Sequence, residues 1–142
     1  MDSTIAAVKF PELVMQFDGG SRGNPGLAGI GITITTPDGA MVYELGAVLP
    51  HATNNVAEYT ALIRGVQAAR RLGVAKLKIR ADSELVVRQI TGRYRVKSPD
   101  LKPLYAQAMA ELGHVAEWSI AHVYRESNSR ADQLANMAMD RR

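Results

Sequence analysis

The hydrophobic repeat of this chain changes period partway along, and that change limits the folds open to it. Leu13–Phe17 reads as a short apolar strand. From Leu27 to Thr36, Ile30, Ile32 and Ile34 alternate with glycine and threonine, the two-residue repeat of a strand. Pro37-Asp38-Gly39 is a turn signal, so Met41–Leu49 is expected to pair back as a hairpin partner. Beyond it the period lengthens. Tyr59, Leu62, Ile63, Val66 and Ala69 recur at helical spacing across Asn54–Leu72, and Gly73 stops the helix. Leu77–Ala81 predicts a fourth strand, with Lys76, Lys78 and Arg80 on its other alternation. Helices are expected at Ser83–Ile90 and Asp100–Leu112, a fifth strand at Glu117–Tyr124 and a last helix at Ser129–Met139. Consecutive strands make an antiparallel meander, whereas strands separated by helices need parallel crossovers. The pattern therefore predicts an α/β fold with a mixed sheet of five strands and helices on its faces.

Composition narrows the classes further. The chain has 142 residues, enough for a single domain over 1–142 that buries about 70% of the surface its unfolded form exposes. No apolar run is long enough to span a membrane, so no membrane partner is expected. Met1–Pro11 has no signal-peptide pattern and is expected to be a poorly ordered extension. The absence of cysteine excludes disulfides, thiolate metal sites and cysteine nucleophiles, and suits a cytoplasmic location. A net charge of +3 is compatible with nucleic acid without demonstrating it.

Four acids fall at the ends of predicted elements. Asp18 follows the first strand and opens Gly19-Gly20-Ser21-Arg22-Gly23-Asn24-Pro25-Gly26, which reads as a turn. Asp82 ends the fourth strand. Glu58 and Asp132 are placed in the first turns of the long helix and the last helix. Each has an ordinary role open to it. Asn55 with Glu58, and Ser129 with Asp132, have capping-box spacing; Asp82 could cap the helix from Ser83; Asp18 could make an Asx-turn. Strand C-termini and helix N-termini of crossover units gather at one sheet edge, so the four could also converge. Each close carboxylate pair would then cost on the order of 4 kcal/mol at an effective dielectric of 20. Divalent cations relieve such crowding, and an oxygen-only donor set suits Mg²⁺ or Mn²⁺ rather than Zn²⁺. Two such ions ~3.5–4 Å apart make a phosphodiester hydrolysis site. The glycine-rich segment is no phosphate-binding loop of the Walker kind: Gly26 leads into a strand and no Gly-Lys-Ser/Thr follows. Its glycines read as a tight turn and a surface that a nucleic-acid backbone can approach.

Four segments carry a family resemblance: Asp18-Gly19-Gly20-Ser21-Arg22-Gly23-Asn24-Pro25-Gly26, Thr53-Asn54-Asn55-Val56-Ala57-Glu58, Ala81-Asp82-Ser83, and Asn128-Ser129-Arg130-Ala131-Asp132-Gln133-Leu134-Ala135. In this order the chain resembles type 1 ribonuclease H. The resemblance implies the ribonuclease H-like fold, with strand order 3-2-1-4-5 and strand 2 antiparallel. It implies that Asp18, Glu58, Asp82 and Asp132 are catalytic metal ligands for two Mg²⁺ ions, with Mn²⁺ as a substitute. It also implies that Gly19, Asn24, Thr53, Asn54 and Asn55 contact an RNA–DNA hybrid, and that the enzyme is a monomer. The implied reaction is hydrolysis of the RNA strand to 3′-hydroxyl and 5′-phosphate ends. Asparagine suits its place there, because it can both donate to and accept from a 2′-hydroxyl.

The chain departs from the best-known members in two places. Many carry a histidine in a flexible loop before the last helix. Here that loop shrinks to Arg125-Glu126-Ser127-Asn128, similar to the compact, histidine-less branch of the family. His122 alternates with Trp118, Ile120 and Tyr124 and is expected to pack; Arg125 is a candidate for the missing histidine's place beside the substrate. The second departure is a shortened basic handle, Gln89–Lys102, in which Tyr94 sits among Arg93, Arg95 and Lys97. Three other readings remain: a different nuclease on this fold, a non-catalytic nucleic-acid-binding module, and a domain of a longer parent such as a reverse transcriptase.

Overall fold

In the computed structural model, which describes residues 10–141, five strands form one sheet in the order β3-β2-β1-β4-β5. They are β1 (Glu12–Arg22), β2 (Gly26–Thr35), β3 (Met41–Ala52), β4 (Lys76–Ala81) and β5 (Glu117–His122). β2 runs antiparallel to both β1 and β3, whereas β4 runs parallel to both β1 and β5. The helices are α1 (Asn54–Arg71), α2 (Glu84–Ile90), α3 (Lys102–Leu112) and α4 (Ser129–Arg141), with a short 3-10 helix at Arg125–Asn128 before α4.

The alternation in β1 divides the molecule. Leu13, Met15 and Phe17 are buried on the face covered by α1. Val14, Gln16 and Asp18 point to the other face, where α4 lies. β2 is buried on both faces, because Ile30, Ile32 and Ile34 face α1 while Gly29 and Gly31 lie under α4. The glycines in this strand are therefore contact points for a helix backbone. A Cβ on Gly29 would lie 2.5 Å from the Ala135 carbonyl oxygen, and one on Gly46 of β3 2.6 Å from that of Leu134. On Gly31 it would lie 2.8 Å from the Ala131 carbonyl carbon. α4 is thus seated on bare backbone across two strands.

Several element ends differ from expectation. β1 does not stop at Phe17; it continues through Asp18 to Arg22, because β2 keeps pairing with it from Val14↔Thr35 out to Arg22↔Leu27. Only its β4 neighbour ends there, at Phe17↔Ala81. α3 begins at Lys102 rather than Asp100, with Pro103 in its first turn, and β5 ends at His122. Of the expected N-terminal extension, residues 1–9 lie outside the described residues. Phe10 and Pro11 are tied to the body: Phe10 N–H donates to the Leu72 carbonyl, and the Pro11 carbonyl accepts from Ala75 and Lys76.

Candidate active site

The pairing of β1 with β4 ends at Phe17↔Ala81, so the next residue of each strand, Asp18 and Asp82, emerges side by side at one edge of the sheet. Glu58 arrives from the opposite face. A Cβ on Gly19 would lie 2.6 Å from both the Ala57 carbonyl oxygen and the Glu58 nitrogen. Only glycine lets α1 descend onto β1 there and carry its carboxylate to the strand end. Asp132 comes from the first turn of α4, above Gly31, the residue paired with Asp18. Two close backbone contacts, one on each face, thus bring the four acids to one cavity of about 520 Å³.

Asp18, Glu58 and Asp82 each present an oxygen within 4.8 Å of the others. Asp132 lies outside that triad, beside Asp18. Burial, the negative charge of Asp82, and the hydrogen bond and charge of Asp132 together push the Asp18 carboxyl up to about 8, against a smaller opposing effect from the Gly19 N–H. Burial first, then the charges of Asp18 and Asp82, raise Glu58 well above the usual carboxylate range. Glu58 is 7% exposed, and its Oε1 is buried without a hydrogen-bond partner. An orphaned buried oxygen among crowded carboxylates is costly unless a cation meets it. Among the described residues, the ion pair these acids make is a long one: Arg125 Nε is 3.8 Å from Asp82 Oδ2, on a side chain that is 83% exposed. The donor set is all oxygen, so Asp18, Glu58 and Asp82 are placed to hold a hard divalent cation, with Asp132 as a further candidate ligand.

The capping explanations for these acids do not hold as expected. The N-cap of α1 is Thr53, whose hydroxyl accepts from Val56 N–H at 3.2 Å, rather than Asn55. Glu58 stands beyond the first turn of α1, too far along to complete a capping box. α2 is capped by Ser83, which leaves Asp82 free of that duty.

The expected substrate contacts divide into two groups. Gly19, Asn54 and Arg125 line the cavity with the acids. Asn24, Thr53 and Asn55 do not. Asn24 instead supports the rim: its Oδ1 accepts from Asn54 N–H at 3.0 Å, while Asn54 Oδ1 accepts from Ser21 N–H at 2.7 Å. These bonds stitch the β1–β2 turn to the start of α1 and direct the amide oxygens inward to protein.

His122 does not pack. It is exposed, lines the cavity, and meets Tyr124 edge-on at 5.7 Å between ring centroids. It stands at the end of β5, one alternation past buried Ile120. In the basic handle, Arg93, Tyr94, Arg95 and Lys97 surround a shallow depression. The Arg88 guanidinium covers the Tyr94 ring at 5.3 Å, so one ring face is already occupied.

Two asparagines had no individual role in the sequence reading. Asn136 Nδ2 donates to Asp132 at its carbonyl (3.0 Å) and its carboxylate (3.3 Å), and its Oδ1 accepts from Arg22. The signal was its place one helical turn after Asp132. Asn128 is buried beneath the cavity. It donates to the Phe17 carbonyl at 2.8 Å and accepts from Gln16 Nε2 at 3.2 Å, fastening the chain before α4 to the end of β1. Its motif was legible, but its burial was not.

A mixed sheet ordered 3-2-1-4-5, with acids converging at the ends of β1 and β4, defines an α/β protein with a candidate acidic metal site at one sheet edge. The comparisons with known proteins agree. The family described as "Reverse transcriptase-like" matches residues 16–138. The chain is 46% identical over 124 residues to "Ribonuclease HI" of Halobacterium salinarum, covering 87% of this chain and 62% of that protein, so it spans less than two thirds of that relative's length. It is 32% identical to "Ribonuclease H" of Hydrogenovibrio crunogenus, covering 91% of this chain and 96% of that protein. Among solved structures, LC11-RNase H1 in complex with an RNA/DNA hybrid superposes with a TM-score of 0.87 at 41% identity, over 91% of this chain and 97% of that one. The chain belongs to the ribonuclease H family.

Proposed function

We propose that this protein is a divalent-metal-dependent endonuclease that hydrolyses the RNA strand of RNA–DNA hybrids, leaving 3′-hydroxyl and 5′-phosphate ends. The observation that carries the reading is the triad Asp18, Glu58 and Asp82, within 4.8 Å of one another, with the Glu58 Oε1 buried and unpartnered. Two Mg²⁺ ions, with Mn²⁺ as a substitute, would supply an activated attacking water and charge stabilisation at the leaving oxygen. Asp18 and Asp82 would serve both ions. Glu58 would serve the one on the attacking side, nearest the 2′-hydroxyl, and Asp132 the other. Asn54, in the cavity wall with its oxygen committed to Ser21, offers its Nδ2 as a donor to the ribose. Arg125, exposed beside Asp82, would meet a phosphate; its exposed guanidinium 3.8 Å from Asp82 supports that role. The protein works as a monomer in the cytoplasm.

Gel cleavage of labelled hybrid, RNA duplex and DNA duplex, each with and without Mg²⁺, tests the reading. Hybrid cleavage that requires metal is expected, with the RNA strand cut. Asp82→Asn should abolish cleavage and leave hybrid binding intact. A fully active Asp82→Asn enzyme, or cleavage of DNA duplex alone, overturns it.

A further inference from the structure

The face of β4 opposite α1 carries cations that the active site does not use. Lys76, Lys78 and Arg80 alternate along it. Lys76 is shared by two acids, Glu12 at 3.7 Å and Glu117 at 3.6 Å. Lys78 and Arg80 are exposed, and among the described residues neither pairs with a carboxylate. α4 seats on β1, β2 and β3 but leaves this part of the sheet open: the flanking residues of β5, Ser119 beside Lys78 and Ala121 beside Arg80, are exposed too. The row leads into the catalytic end of the strand. Asp82 follows two residues after Arg80 on the same alternation, with Arg125 beside it. Lys78, Arg80 and Arg125 therefore form a cationic track from the open sheet face to the acids.

We propose that this track is a second nucleic-acid contact, in which Lys78 and Arg80 hold the phosphates of a single strand that leaves the cleft beyond the hybrid. This rests on the nuclease reading above. Alternate strand residues stand about 6.6 Å apart. That is close to twice the ~3.4 Å rise per nucleotide of a stacked strand, so the single row of cations can follow the phosphates of one backbone laid along β4. Small, uncharged Ser119 and Ala121 beside the two cations leave room for a backbone to lie along them. The ligand is a polyphosphate backbone, which either an RNA or a DNA overhang supplies.

The test compares KM and kcat on blunt hybrid, hybrid with a single-stranded RNA overhang and hybrid with a single-stranded DNA overhang, on either side of the duplex. Measurements run from 50 to 200 mM salt, for wild type and Lys78→Ala/Arg80→Ala. At least one overhang should lower the wild-type KM, and the double variant should lose that advantage with kcat and blunt-hybrid KM unchanged. Two lost phosphate contacts on a single strand should reduce the salt slope by about 1.4, or about sevenfold across that range. Arg80→Lys should retain most of the effect. Which overhang responds identifies the strand. If wild type cleaves blunt hybrid but no overhang improves KM, or if blunt and overhang substrates lose equally in the variant, the inference is wrong. Failure to cleave blunt hybrid instead overturns the nuclease reading and the inference with it.

Discussion

Gly31→Ala tests whether the seating of α4 sets the active-site geometry. The new methyl carbon would stand 2.8 Å from the Ala131 carbonyl carbon and 3.0 Å from the Ala135 nitrogen. Apolar contacts settle at about 3.5–4.0 Å, so α4 must recede by roughly 1 Å. Both atoms are helix backbone and cannot rotate aside. Overpacking of this kind costs about 1–3 kcal/mol, which for a domain of this size lowers the melting temperature by about 3–10 °C. The helix carries Asp132 with it. A displacement near 1 Å can cost about 100-fold in rate, so kcat on hybrid should fall by ~10–100-fold while hybrid affinity holds. Thermal melts and steady-state cleavage at saturating Mg²⁺ measure both effects. Gly46→Ala, which meets Leu134 further along α4, provides a second displacement should Gly31→Ala fail to fold. Gly20→Ala is the stability control, because its Cβ would meet only Asn54 Oδ1 at 3.9 Å. A Gly31→Ala protein with wild-type melting and wild-type kcat would show that close backbone contact is not what positions Asp132.

Three further outcomes are expected. With metal chelated, stability should fall as pH rises from 5 to 8: Asp18, pushed up to about 8, and Glu58, also raised, hold protons in the folded protein that the unfolded chain has already released. Their stabilising contribution is complete below the ordinary carboxylate range and lost as pH climbs through the raised values. Urea melts in chelator would show this, and Mg²⁺ should restore stability most at pH 8; stability that rises with pH in chelator contradicts the crowded-carboxylate picture. Glu58→Gln should flatten that pH dependence and abolish cleavage, as read by the same melts and the gel assay. Asn128→Ala should cost about 1–3 kcal/mol by leaving the Phe17 carbonyl without its side-chain donor, and should lower kcat more than hybrid affinity, because it frees the link between β1 and α4.

Much of this molecule was legible one element at a time. The alternating isoleucines of β2 and the helical repeat of α1 placed both elements within a residue or two, because each buries a regular face. The acids stood out because carboxylates at element ends are conspicuous. Other features depended on neighbours distant in the chain. Phe17 looked like a strand end because glycines follow it, yet β2 continues to pair alongside those glycines. His122 fitted a packing alternation, but it stands exposed at the end of β5, in the wall of the active-site cavity. The caps went to Thr53 and Ser83 because caps depend on where the helix begins, which shifts by one or two residues with tertiary context.

The amino-acid sequence by itself determined the order of the elements, the α/β class and the identity of the four acids. The tertiary structure alone decided that Asp18, Glu58 and Asp82 crowd within 4.8 Å. That crowding depends on Gly19 admitting α1 and on Gly31 admitting α4, contacts between segments far apart in the chain. A local pattern records which face a residue occupies; how closely two backbones approach is settled only when both faces of the sheet are covered.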